Sequence, residues 1–166
     1  MESAKEEFLQ KGFLDASLQE ICKNAGVTTG ALYKRFKGKE ELFCALVEST
    51  VQDLEEVVRQ KSVLPATLTD EQLKKAWDMD MEYMQWWFDY LYDRYDEMRL
   101  LLVFSDGTKY ANFEHEWVEG MSHTTYAYYK EAQRRGLTKT DISEKELHVM
   151  LSSFWTAICE PLIHGF

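Results

Sequence analysis

Between residues 27 and 42, VTTGALYKRFKGKEEL, hydroxyls and cations crowd around two aromatic rings: Thr28, Thr29, Lys34, Lys37 and Lys39 beside Tyr33 and Phe36. Hydroxyls both donate and accept hydrogen bonds, while ammonium groups donate and carry charge. With a bare Gly30 among them, they form a surface suited to phosphate oxygens and base edges. The setting sharpens the point, because the whole chain has a formal net charge of −10. Residues 17–39 hold Lys23, Lys34, Arg35, Lys37 and Lys39 against Glu20 alone, which is +4 locally and −14 for the remainder. A reversal of sign on this scale points to a dedicated surface for a polyanion, with the rest of the chain kept soluble and away from it.

A second concentration of chemistry begins after residue 70, where the chain becomes rich in aromatics. Aromatic and thioether side chains with hydroxyl or indole handles line small-molecule sites between the helices of bundles. Trp77, Tyr83, Met84, Trp87, Tyr90, Phe104, Phe113, Trp117 and Met121 are the candidate lining; the plainer alternative is a large aromatic core. Interleaved acids (Asp78, Asp80, Glu82, Asp89, Asp93) would let such a site hold a lipophilic cation, although taken singly they read as solvated. Signals for catalysis are poor: there is no Gly-rich phosphate loop, no G-x-S-x-G and no H-E-x-x-H, and no cofactor is implied. His115, Glu119 and His123 recur every four residues, but each step drifts ~40° around a helix, so the outer pair diverge. They read as a polar face and not as a metal centre.

The elements that must position these residues are helices almost throughout. A chain of 166 residues, 45% hydrophobic and 14% aromatic, can bury a real core. Ser17–Glu20, Thr69–Gln72 and Ser143–Glu146 fit the capping-box pattern, and glycines at 12, 26, 107 and 136 fall where helices should end. The spacing predicts a helix ending near Lys11, short helices over 17–25 and 28–35, and a long one over 39–60. Then come a helix from about 70 into the nineties, a piece ending near Phe104, and helices over 109–135 and from 144 to near the end. One stripe, Leu73 to Leu102, is expected to run through the first of these later pieces. SVLPATLT (62–69) breaks the pattern. Cys22, Cys44 and Cys159, odd in number and widely spaced, read as reduced and mostly buried thiols of a cytoplasmic protein. No run reaches the ~18 apolar residues of a membrane helix.

Two short helices joined by Ala25-Gly26-Val27 have helix-turn-helix proportions, with Gly26 as the permissive turn and Val27 as a buried β-branched anchor. Leu32 and Phe36 face the core with Ile21 and Leu42. Thr28, Thr29, Gly30, Tyr33 and Lys34 are left pointing outward, as a major groove requires. Ser17 and Lys39 stand at the starts of flanking helices, where free N–H groups favour phosphate. FLQKGFLDASLQEICKNAGVTTGALYKRFKGKEELFCALVE (8–48) resembles the DNA-binding domain of the tetracycline-repressor (TetR) family. The resemblance rests on Phe8, Lys-Gly-Phe at 11–13, Ser17 through Ile21, Ala-Gly-Val at 25–27, GALYKRF at 30–36 and KEEL at 39–42, about a quarter of the chain. It implies DNA-contact roles for Thr28, Thr29, Gly30, Tyr33, Lys34 and Lys39, with Ser17 on phosphate.

The expected architecture is therefore all-α: a three-helix helix-turn-helix domain over 1–45, then a helical bundle over 46–166 for effector binding and dimerisation. The expected function is that of a one-component regulator, a repressor, binding double-stranded operator DNA as a homodimer and released by a small apolar or aromatic effector. The rival is a helical small-molecule-binding module or small enzyme that does not bind DNA. Family members usually carry another turn or two of the first helix, and commonly a further helix after the one ending here near Phe166. In the family the final two helices pair with their mates in a four-helix bundle, so a complete chain of this extent has a reduced dimer surface. Leu147, Leu151, Phe154, Trp155, Ile158 and Leu162 form an apolar stripe broader than one packing seam. Leu151, Trp155, Ile158 and Leu162 are accordingly assigned to a mate.

Overall fold

The computed structural model describes residues 1–65, 67–76 and 81–166. Among them all regular structure is helical: α1 (Glu2–Asp15), α2 (Leu18–Asn24), α3 (Thr29–Arg35), α4 (Lys39–Ser62), α5 (Asp70–Lys75), α6 (Met81–Asp93), α7 (Tyr95–Val103), α8 (Phe113–Arg134) and α9 (Glu144–His164). Trp77, Asp78 and Asp80, singled out above, lie outside the described residues.

Local chemistry sets the boundaries. Thr69 and Gln72 close a complete capping box, and Ser143 and Glu146 do the same through bonds of 2.7 and 3.2 Å. The glycines expected at helix ends all take positive φ, which only glycine adopts without strain: Gly26 at 66°, Gly107 at 87° and Gly136 at 71° follow helices, while Gly12 (φ 71°, ψ 169°) kinks α1. At the end of α2, Val27 N–H donates to the Cys22 carbonyl (3.0 Å) and Gly26 N–H to that of Lys23 (3.2 Å). This Schellman pair recurs after α8, from Leu137 to Ala132 and from Gly136 to Gln133. Backbone bonds close the turn, which corrects the expectation of a buried Val27: that side chain is 47% exposed.

The expected stripe from Leu73 to Leu102 is also divided. Arg94 leaves helical geometry (φ −117°, ψ 32°), ending α6 and starting α7, and its guanidinium donates to Asp53 Oδ2 at 3.0 Å.

Two compact units result, one of residues 1–53, 94–114 and 162–166, the other of 54–93 and 115–161. The first is built on Phe8, Phe13 and Phe43, whose ring centroids lie 5.2–6.1 Å apart. Within it α7 docks on α1. Phe13 N–H donates to the Phe104 carbonyl (3.0 Å), Lys5 pairs with Asp96 (2.9 Å), and a Cβ on Gly107 would lie 2.5 Å from a Leu14 methyl. The second unit buries Leu73, Trp87, Leu91, Trp117, Leu147, Trp155 and Ile158. Arg135 ties its α5 start to the end of α8, donating to the Leu68 carbonyl (2.6 Å) and to Asp70 (3.0 Å). The guanidinium groups of Arg134 and Arg135 hold the Glu131 carboxyl down at about 2. No described helix is long and apolar enough to cross a membrane.

The Ser17 cap departs from the capping-box expectation. Its hydroxyl does accept from Glu20 N–H (3.4 Å), but its own N–H donates to Glu7 Oε1 (3.0 Å), ten residues back, and Glu20 turns to Lys23 instead. Glu7 is 5% exposed and also holds Lys11 at 2.8 Å. The Lys11 bond, then the Ser17 N–H, keep its carboxyl below the usual glutamate range. Glu7→Ala should therefore cost about 1–3 kcal/mol, readable in urea unfolding, because it strands the Ser17 N–H. A carboxyl depressed on folding stabilises above its unfolded value, ~4.3, and loses that contribution as pH falls through the lower folded value. The difference between parent and mutant should accordingly vanish at acid pH, and a difference independent of pH would contradict this role.

Candidate nucleic-acid interface

The turn after α2 delivers the chain to Thr28, which caps α3 by accepting from Ala31 N–H at 3.1 Å. Leu32 points inward with Ile21 and Leu42, all buried, and Phe36 is half-buried under the Arg35 guanidinium. That fixes the rotation of α3. Thr28, Thr29, Gly30, Tyr33 and Lys34 are all exposed, with Tyr33 at 56%. A Cβ on Gly30 would meet only Thr28 Oγ1, at 3.9 Å, so the protein leaves open space there for a close partner. Ser17 is half-buried at the start of α2.

The cations divide into two groups. Lys39 is half-buried and donates to the carbonyls of Leu14 (2.8 Å) and Ala16 (3.0 Å) while its ammonium lies 4.8 Å from the centre of the Phe13 ring. A side chain so engaged staples the start of α4 to the α1–α2 turn. Lys34, Arg35 and Lys37 are exposed and, among the described residues, make no ion pair. The neighbouring acids do not cancel them locally: Glu41 accepts from Lys37 N–H and Glu40 from Lys109 N–H. The outcome is a helix-turn-helix whose second helix presents hydroxyls and a phenol, with exposed cations at its end, the arrangement of a DNA reader.

A family model for bacterial regulatory proteins of the tetR family matches residues 1–46. The transcriptional regulator SrpR of Pseudomonas putida is 42% identical over 55 residues, 33% of this chain and 26% of SrpR. The transcriptional activator FasR of Mycolicibacterium smegmatis is 38% identical over 58 residues, 35% of this chain and 26% of FasR. These matches thus span about a quarter of each relative's length. Among solved structures, a regulator from Clostridium perfringens superposes with a TM-score of 0.63 at 22% identity, covering 98% of this chain and 83% of that one. Residues 1–46 are thus similar to the N-terminal domain of tetR-family regulatory proteins, and the all-helical fold is shared with a solved regulator structure.

The second unit gathers only part of the aromatic set named from sequence. Trp87 of α6, Trp117 of α8 and Trp155 of α9 form a triangle with centroids 6.2, 5.9 and 5.4 Å apart. Tyr83 and Tyr90 pack edge-on to Trp87 at 6.3 and 6.1 Å. Met84 and Met121 are half-buried. Phe104 and Phe113 fall in the first unit instead, Phe104 beneath Arg99 and beside Gly12. Trp155, Ile158 and Leu162 are buried and Leu151 is half-buried, so the three buried side chains have no surface to offer a mate. The broad stripe is accounted for by burial within this chain. The large exposed apolar residues of α9 are Val149 and Met150, and Val149 borders an open groove of about 710 Å³ lined by His115, Glu119, His123 and His148. His123 faces Glu144 at 3.2 Å. Ser122 Oγ donates to the Val118 carbonyl at 2.6 Å and lies 3.1 Å from His148 Nδ1.

Nothing in the sequence singles out Glu7 beyond a partial signal, Lys11 one helical turn on. Its bond to Ser17 is tertiary and has none.

Proposed function

We propose that this protein is a one-component repressor: a homodimer that binds operator DNA through residues 1–45 and releases it when a small, largely apolar or aromatic effector binds within 46–166. The observation that carries the reading is the outward face of α3, where Thr28, Thr29, Gly30, Tyr33 and Lys34 are exposed while Leu32 anchors the helix. Thr29 and Tyr33 read base edges; Ser17, Lys34, Arg35 and Lys37 meet phosphate. The buried tryptophan triangle supports an effector site of Trp87, Trp117, Tyr83 and Tyr90, set in a cytoplasmic protein. Dimerisation is assigned to the exposed side of α8 and α9 around Val149 and Met150, because two heads must reach major grooves ~34–36 Å apart.

The test has two readouts. DNA selected from a random pool should be retained with a steep salt dependence, and sedimentation at micromolar concentration should show a dimer that Met150→Asp dissociates. A monomer with no affinity for any selected DNA would refute the reading. FasR, an activator, carries a similar head, so the sign of regulation is set by reporter expression with and without the gene.

A further inference from the structure

Two donors in the tryptophan triangle have nothing to donate to. Trp117 Nε1 and Trp155 Nε1 are both shielded from solvent, and neither has an acceptor. An indole N–H is a donor only, and buried N–H groups are rarely left unmatched. Here two lie on rings 5.4 Å apart, on neighbouring positions of α8 and α9, with the Trp87 ring edge-on to both. Hydroxyls of the same helices donate elsewhere, Ser122 to Val118, Ser153 to Val149 and Tyr129 to the Thr140 carbonyl, and none accepts from either indole. The acids that might have called for a cation turn away, since Glu82, Asp89 and Asp93 are exposed and Asp89 accepts from Gln85.

We infer that the effector is a flat aromatic molecule carrying a hydrogen-bond acceptor, a carbonyl oxygen or ring nitrogen, that takes the indole N–H of Trp117 or Trp155. This rests on the effector reading above and narrows it. An aromatic body replaces ring-on-ring contact with the triangle, and the acceptor satisfies donors that the protein leaves unmatched. A cationic ligand would bring further donors to a site that already has too many.

The test uses two pairs of probes matched in shape, naphthalene with quinoline and fluorene with fluorenone. Calorimetric titration of the full chain should show the acceptor-bearing member binding about tenfold more tightly, the equivalent of one hydrogen bond. The fluorenone carbonyl stretch should move to lower frequency on binding. Trp117→Phe and Trp155→Phe each remove an N–H and keep a ring, and at least one of them should bring the affinity ratio close to one. Equal affinities within both pairs for the parent protein would overturn the acceptor requirement and leave the effector reading standing. Failure of all four probes to bind would overturn both.

Discussion

With Lys34, Arg35 and Lys37 all replaced by alanine, DNA binding is expected to lose most of its salt dependence while the fold remains intact. Each phosphate contact removed lowers the slope of log K against log salt by ~0.9. Three contacts therefore shrink the loss of affinity between 50 and 200 mM salt by about forty-fold for each head engaged. All three side chains are exposed, and no described carboxylate pairs with them. Thermal unfolding should shift by no more than the ~0.5 kcal/mol typical of surface substitutions. Lys39→Ala is the informative contrast. It removes a cation too, but that cation is bonded to the Leu14 and Ala16 carbonyls, so its loss should lower stability first. Equal slopes for the triple mutant and the parent would show that this face does not meet phosphate.

Trp155→Ala is expected to be the most damaging single substitution in the second unit. The side chain is 1% exposed and contacts two other tryptophans, so truncation removes apolar burial and leaves a cavity between α6, α8 and α9. Losses of about 3–5 kcal/mol follow for a buried tryptophan. For a chain of this size each kcal/mol lowers Tm by about 2–4 °C. Trp155→Phe should cost much less, because it keeps a ring and removes one unmatched N–H. A loss below ~1 kcal/mol for the alanine mutant, in denaturant unfolding, would mean that the triangle is loosely packed and that the stripe does serve a mate.

The contrast between these two sites shows what a sequence discloses. Helix starts at Thr69 and Ser143 were legible because cap and acceptor are three residues apart. The glycines at 12, 26, 107 and 136 were legible because φ near 70–90° is a local demand. The outward face of α3 followed from the spacing of Leu32 and Phe36. What escaped was tertiary. Nothing near Lys39 announces that its ammonium will find two carbonyls 23 and 25 residues away. Nothing near Ser17 names Glu7, and an apolar stripe on α9 looks the same whether its partner is α8 of the same chain or a second copy. The break at Arg94 likewise had no glycine or proline to mark it.

The docking of α7 on α1 bears on how the protein is made. During synthesis residues 1–53 emerge first, with all three short helices of the head among them, yet the unit they belong to also needs 94–114 and 162–166. The Phe13–Phe104 backbone bond and the Lys5–Asp96 pair each close loops of about ninety residues, and such distant contacts form late and slowly. A nascent chain halted after α4 would carry a helix-turn-helix whose first helix has one flank bare. Apolar surface on that flank is open to chaperones and to other nascent chains until the ribosome has passed residue 114. DNA-binding competence should therefore appear in stalled chains only after that length has cleared the exit tunnel.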